Sequence, residues 1–278
     1  MLFEFQLTPV AEIAPWVTPS RGNEKHQHWF GLTDGCDWLE VGGVELLRYS
    51  EPLLEQWARE YPDARHDPHV NYYVVRLWED ILGMLPSVLE PVPEDVVSYI
   101  QPGGAWESWA AWQRWSDRAH IWMDAVEDDS WEFFGNATAW WGERRLDTGY
   151  LSVGSAIWFW REGDCVHIRW DNTTLQLEGL PVWANTSGES ELLATEFVAE
   201  VRSFDVRLIQ AMAKRVDAVR DDWPRPDVRL DWNALRQEHR QRATAFASAL
   251  AQPLRHTNWD GVRQALAEVE RRNADVMP

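Results

Sequence analysis

The sequence predicts an α+β fold: an antiparallel β-sheet covered by amphipathic helices, with a C-terminal helical pair. Three observations predict it. Residues 151–170 alternate in polarity at the two-residue period of a hairpin, residues 70–85 and 195–220 carry apolar side chains at helical spacing, and glycine-bearing turns separate short β-prone runs between residues 28 and 47. With 278 residues and 45% apolar content, the chain can bury a sizeable core.

Taken in order, residues 2–7 (Leu-Phe-Glu-Phe-Gln-Leu) alternate as a short half-buried strand, and Thr8-Pro9 offers a helix start leading to about Trp16. After a polar loop at 19–27, the runs 28–32, 36–41 and 44–47 are separated by Thr33-Asp34-Gly35 and Gly42-Gly43, the pattern of a three-stranded antiparallel meander. Ser50 caps a helix with Pro52 in its first turn and Leu53, Leu54 and Trp57 on one face. Val70, Val74, Leu77, Trp78, Ile81, Leu82 and Leu85 predict a helix over 70–85 that Pro86 stops.

Eleven of the 20 tryptophans fall between Trp106 and Trp170. Trp106, Trp109, Trp112 and Trp115 step round one side of a helix, with Trp122 near Trp115, which makes a broad apolar face expected to pack inward. The helix should end before Glu127-Asp128-Asp129, because its C-terminal dipole disfavours anions. A further helix is expected over 131–141. In the hairpin, Trp158 and Trp160 alternate with Ile157 and Phe159, Glu162-Gly163-Asp164 turns the chain, and Cys165, His167 and Arg169 alternate with Val166, Ile168 and Trp170. Residues 175–177 and 181–184 add short strands, and Thr186-Ser187-Gly188 closes the sheet region. The sheet is thus expected from the 28–47 and 150–184 strands, covered by helices 70–85, 105–125 and 195–220. The proline-rich stretch 222–226 divides an acidic Trp-rich domain, 1–222, from a C-terminal helical hairpin, 223–278, with helices over 231–250 and 257–273. Thr257 and Asp260 have the spacing of a capping box for the second.

The net charge of −19 is unevenly placed: residues 1–100 carry 17 acids and 6 bases, 101–220 carry 19 and 11, and 221–278 carry 9 of each. Such a balance opposes nucleic-acid phosphates and anionic membrane surfaces and suits a basic protein partner. All but Lys25 and Lys214 of the 26 bases are arginine. Met1-Leu2-Phe3-Glu4-Phe5 lacks the basic region and long apolar core of a signal peptide, and Cys36 and Cys165 make no disulfide framework, so a reducing cytoplasmic location is expected.

Candidate chemistry is sparse. His26-Gln27-His28 puts two imidazoles on one side of a strand and His66 and His69 lie further on, but no CxxC, HExxH or calcium loop accompanies them, so no metal or cofactor is expected. The acid pairs Glu79-Asp80, Asp128-Asp129 and Glu189/Glu191 come with no nucleophile, so no catalytic residue is assigned. A ligand-binding face is the sharper reading: Trp158, Trp160 and Trp170 with Trp140 and Trp141 offer indole faces to a small aromatic or cationic ligand, and Arg161, His167 and Arg169 offer charge.

Several motifs carry a resemblance: His28-Trp29-Phe30-Gly31-Leu32-Thr33-Asp34-Gly35, Val41-Gly42-Gly43 with Arg48-Tyr49-Ser50, Arg76-Leu77-Trp78-Glu79-Asp80 with Pro86 to Pro93, and residues 158–171. The chain resembles, over most of its length, an uncharacterised actinobacterial family known only as a domain of unknown function. The resemblance implies a host type and transfers no catalytic residue. The expectation is therefore an acidic binding protein of immunity or inhibitor type that sequesters a basic protein. A tryptophan-lined small-molecule or self-resistance protein is the alternative, followed by an enzyme of unrecognised type.

Overall fold

The computed structural model describes residues 1–18, 24–125, 130–221, 223 and 225–276. The acidic run Glu127-Asp128-Asp129 lies outside these residues, as do residues 19–23 of the expected polar loop and residues 222 and 224 of the proline-rich stretch. In chain order the elements are β1 (Phe3–Leu7), β2 (Trp16–Thr18), β3 (Glu24–Gln27), β4 (Asp34–Val41), β5 (Val44–Leu46), α1 (Glu51–Glu60), β6 (Val70–Tyr73), α2 (Val74–Val88), α3 (Glu94–Val97), α4 (Trp109–Met123) and α5 (Ser130–Gly142). There follow β7 (Ile157–Glu162), β8 (Cys165–Asp171), β9 (Gln176–Leu177), β10 (Leu180–Pro181), β11 (Ser187–Leu193), α6 (Ala194–Asp221), β12 (Arg229–Leu230), α7 (Trp232–Arg242), α8 (Ala245–Leu250) and α9 (Trp259–Asp275). This is an α+β fold whose sheets are antiparallel except where β12 runs parallel to β3. Among the described residues, no helix is long and apolar enough to cross a membrane.

The chain packs as two compact units, one of residues 1–85, 177–185 and 195–252, the other of residues 86–176, 186–194 and 253–278. Helices α7 and α8 belong to the first and α9 to the second.

In the first unit β4 is the central strand, paired with β1 on one edge and with β5 and β6 on the other. Gly35 permits this crossing, since a Cβ there would sit 2.3 Å from the Gln6 carbonyl oxygen. The core closes when Phe3 stacks on Phe204 of α6 at 5.5 Å and the buried Trp78 indole donates to Asp205 at 3.1 Å. Ser50 caps α1 as its sequence position predicts, accepting from the Leu53 N–H.

Several expectations in this unit are corrected. Residues 28–32 form no strand; the chain turns and makes a single 3-10 turn, Gly31–Thr33, because Thr33 Oγ1 donates to the Phe30 carbonyl at 2.6 Å. Thr8-Pro9 starts only the 3-10 turn Val10–Glu12, after which β2 forms. The helix expected over 70–85 begins at Val74, because residues 70–73 pair with Asp34–Asp37 of β4. Its end passes Pro86 and reaches Val88, so the proline lies within the last turn of the helix and does not stop it. The helix expected over 231–250 breaks into α7 and α8, where Thr244 Oγ1 donates to the Gln241 carbonyl at 2.9 Å.

In the second unit β8 lies between β7 and β11, so the 28–47 and 150–184 strands belong to different sheets. Helices α4, α5 and α9 bury Trp115, Trp122, Ala137, Trp140, Leu266 and Val269 in one core with Trp158 and Trp160. Thr186-Ser187-Gly188, expected to close the sheet region, instead leads into β11, whose residues Ser187–Leu193 extend the sheet along β8. The N-cap of α9 is Asn258, whose side chain accepts from Gly261 N–H at 3.1 Å. Thr257, expected in that role, donates its N–H and hydroxyl to Glu90 instead, each at 2.6 Å.

Candidate functional site

The hairpin forms as the alternation predicts, and its pairing decides which side chains share a face. Trp158 lies opposite Arg169 and Trp160 opposite His167, while Ile157, Phe159 and Arg161 lie with Trp170, Ile168 and Val166 on the other face. The indoles of Trp140, Trp141, Trp158, Trp160 and Trp170 are each no more than 5% exposed. Trp141 stacks on Trp158 at 5.0 Å with 5° between the planes, and Trp140 packs on Trp106 at 5.7 Å. These five rings are core.

The three cations proposed with them are bound within the same unit. Arg161 donates to the carbonyls of Gly163 at 2.7 Å and Leu89 at 3.2 Å. Arg169 lies over the Trp160 ring at 5.1 Å, donates to the Ile100 carbonyl, and grips Glu189 Oε2 at 2.6 and 2.8 Å. His167 stacks on Trp160 at 5.1 Å and meets Glu189 at 3.3 Å, and that hydrogen bond raises its pKa above the ordinary histidine value. Across this face the order is indole, cation, carboxylate, ending at β11.

Two further arginines are embedded among the tryptophans. Arg144 is fully buried, donates to Glu90 at 2.9 Å and to the Trp140 carbonyl at 2.8 Å, and burial lowers its pKa. Arg145 stands 4.5 Å from the Trp109 ring centre and 5.6 Å from that of Trp158. Glu90 holds Arg144 and Thr257 together, so this network fastens the start of α9 to its own unit.

An open concavity lies elsewhere, in the first unit. A groove of about 700 Å³ runs between α2 and the α7–α8 segment, with Trp78, Leu82, Ala245 and Ala249 as its floor and Glu79, Glu238 and three glutamines along its sides. Inside it Arg242 is enclosed by two indoles and two carboxylates: Trp29 at 4.5 Å, Trp78 at 5.8 Å, Glu79 at 2.6 Å and Glu238 at 2.9 Å. Arg242 balances one of the two acids, which leaves the groove negative. Nothing in the sequence signals this cage, whose parts come from residues 29, 78–79 and 238–242.

A smaller pocket of about 210 Å³ shares Ala234 and Glu238 with the groove and holds His26 and His28, 5.9 Å apart on one side of the chain as their spacing predicts. Burial holds His28 below its ordinary pKa against the pull of Glu238, and its Nδ1 accepts from Gly31 N–H at 3.1 Å. The Trp29 indole donates to His239 Nδ1 at 3.3 Å, which fits the burial-lowered pKa of that imidazole. His66 and His69 make other contacts, to the Tyr61 carbonyl and to Glu45. Among the described residues, no group of three or more His, Cys, Asp or Glu side chains is arranged to hold a metal.

Of the acid pairs, Glu79 and Asp80 separate whereas Glu189 and Glu191 stay together. Glu79 faces Arg242, Asp80 faces Arg76, and Glu189 and Glu191 sit on one face of β11 around His167. The groove therefore offers an apolar floor, amides and excess negative charge. No curated protein and no solved structure matches the chain. Its residues 2–265 match the model of a family of unknown function, and the chain belongs to that family, DUF5984.

Proposed function

We propose that this protein is an acidic binding protein that takes up a basic segment of a protein partner, in the manner of an immunity or inhibitor protein. The observation that carries the reading is the groove beside α2, where an apolar floor is flanked by Glu79 and Glu238 with only Arg242 to balance them. An amphipathic basic segment would bury its apolar side on Leu82 and Ala249 and set its cations against the carboxylates. The overall charge of −19 would speed its approach. A cytoplasmic site of action in an actinobacterial host fits the free thiols of Cys36 and Cys165 and the arginine-dominated bases.

The test is a pull-down with the full chain as bait at low and high salt, with Gly83→Leu as a second bait. Gly83 lines the groove, and a Cβ there meets nothing within 4 Å, so leucine fills the groove without crowding the helix. Basic proteins should bind the parent, leave in about 0.5 M salt, where the screening length is a few ångströms, and be lost from Gly83→Leu. Recovery of nothing salt-sensitive would overturn the reading.

A further inference from the structure

We infer that the free edge of β11 is a docking site for an extended basic segment of a partner protein, which adds to the second unit's sheet as a fourth, antiparallel strand. This rests on the reading of the protein as a receptor for a basic partner and names a second surface for it.

The direction of the backbone groups follows from two hydrogen bonds that bracket the β8–β11 ladder. Asn172 N–H donates to the Thr186 carbonyl at 2.5 Å, and Ala194 N–H donates to the Asp164 carbonyl at 2.8 Å. Both pairs keep the register in which Ser187 lies opposite Asp171 and Leu193 opposite Cys165. Hydrogen-bonded and non-hydrogen-bonded pairs alternate along an antiparallel ladder. Gly188, Ser190 and Leu192 therefore turn their N–H and C=O toward β8, and Ser187, Glu189 and Glu191 turn theirs away. The sheet order is β11-β8-β7, so among the described residues no strand pairs with β11 on that side. Among the described residues no hydrogen bond reaches the backbone of Ser187, Glu189 or Glu191. The result is a row of outward donors and acceptors over five residues, ready for strand addition.

The side chains specify the occupant. A residue directly opposite Glu189 or Glu191 on an added strand shares their face. The Glu191 carboxylate is 65% exposed, and its nearest cation is His167 at 3.7 Å. Glu162, Glu189 and Glu191 together surround one imidazole and the Arg169 guanidinium, so the face holds more acid than base. Arginine or lysine at alternate positions of the incoming strand meets this surplus. On the opposite face Gly188, Ser190 and Leu192 are half-buried and Gly188 lies against the Trp170 ring, which favours small or β-branched residues between the cations. A second copy of this chain is disfavoured: the antiparallel register that uses all three outward residues sets Glu189 against Glu189. The carboxylates that protect the edge from itself thereby select an opposite charge.

The test uses the full chain and a labelled five-residue peptide alternating arginine and valine, with blocked ends, followed by fluorescence anisotropy. In an antiparallel addition the arginines lie opposite Glu189 and Glu191 and share the hydrogen bonds. Methylating the arginine amide nitrogens should weaken binding at least tenfold, while methylating the valine amides should leave it within twofold. Glu191→Pro, which removes an outward N–H that β8 does not use, and Glu191→Lys, which only reverses a surface charge, should each weaken it at least tenfold with unchanged melting. Equal effects of both methylation patterns, or unchanged binding to both variants, overturns the edge site. If a salt-sensitive basic partner is still recovered and still lost from Gly83→Leu, the general reading survives that failure. If neither partner nor peptide binds, both fall.

Discussion

Asp37 is a buried carboxyl whose chemistry departs far from its ordinary behaviour. It lies in β4 at 1% exposure, and Oδ1 has no hydrogen-bond partner. Burial, with a smaller contribution from nearby Asp80, pushes its carboxyl up to about 8. In the unfolded chain an aspartate titrates near 3.9, so between about pH 4 and 8 the folded protein holds the extra proton. Stability from this group is therefore greatest at acid pH and declines as pH rises toward about 8, the reverse of a salt-bridged carboxylate. Asp37→Asn keeps the neutral form at every pH. Relative to the parent, it should gain on the order of a few kcal/mol at pH 9 and little at pH 4, at about 1.4 kcal/mol per unit of pKa shift. Urea melts at both pH values check this, and parallel pH slopes for parent and variant would remove the explanation.

At the scale of elements, β11 is the strand whose place depends on one small residue. A Cβ built on Gly188 would sit 2.3 Å from the Trp170 ring, and that ring is itself 5% exposed. Gly188→Val should therefore force the indole or the strand to move and cost about 1–3 kcal/mol, read as a lower urea midpoint. Because β11 carries the proposed docking edge, the same variant should lose the alternating peptide as well. The strand was hidden in the sequence. Ser-Gly-Glu-Ser-Glu alternates small with acidic residues and has no apolar face to reveal its period, whereas the hairpin Ile157–Asp171 alternates bulky residues and was legible.

For the whole molecule the tryptophans are the accessible reporter. Only Trp16 at 39% and Trp131 at 53% are exposed among the 20, the others being buried or half-buried. Native emission should lie to the blue of free tryptophan, and an added neutral quencher should reach only a minor fraction of it. A fully quenchable spectrum would contradict an indole core. The same burial accounts for the expected ligand face: Trp158 and Trp160 were placed on one face of the hairpin by their period, but the packing of α4 and α5 covers it.

The sequence by itself determined the class of fold, the long helix α6, the tryptophan helix, the Ser50 cap, the hairpin and the acidic charge, because periodicity, caps and turns act over a few residues. Only the tertiary structure decided that residues 70–73 are strand, that residues 28–47 and 150–184 contribute to separate sheets, and that β11 has an open edge. It alone assembled Arg242 with Trp29 and Trp78, and Arg144 with Glu90 and Thr257. The physical reason is range. Strand pairing, the burial of charge and the closing of an aromatic cage are set by partners far apart in the chain, whose meeting no local pattern records.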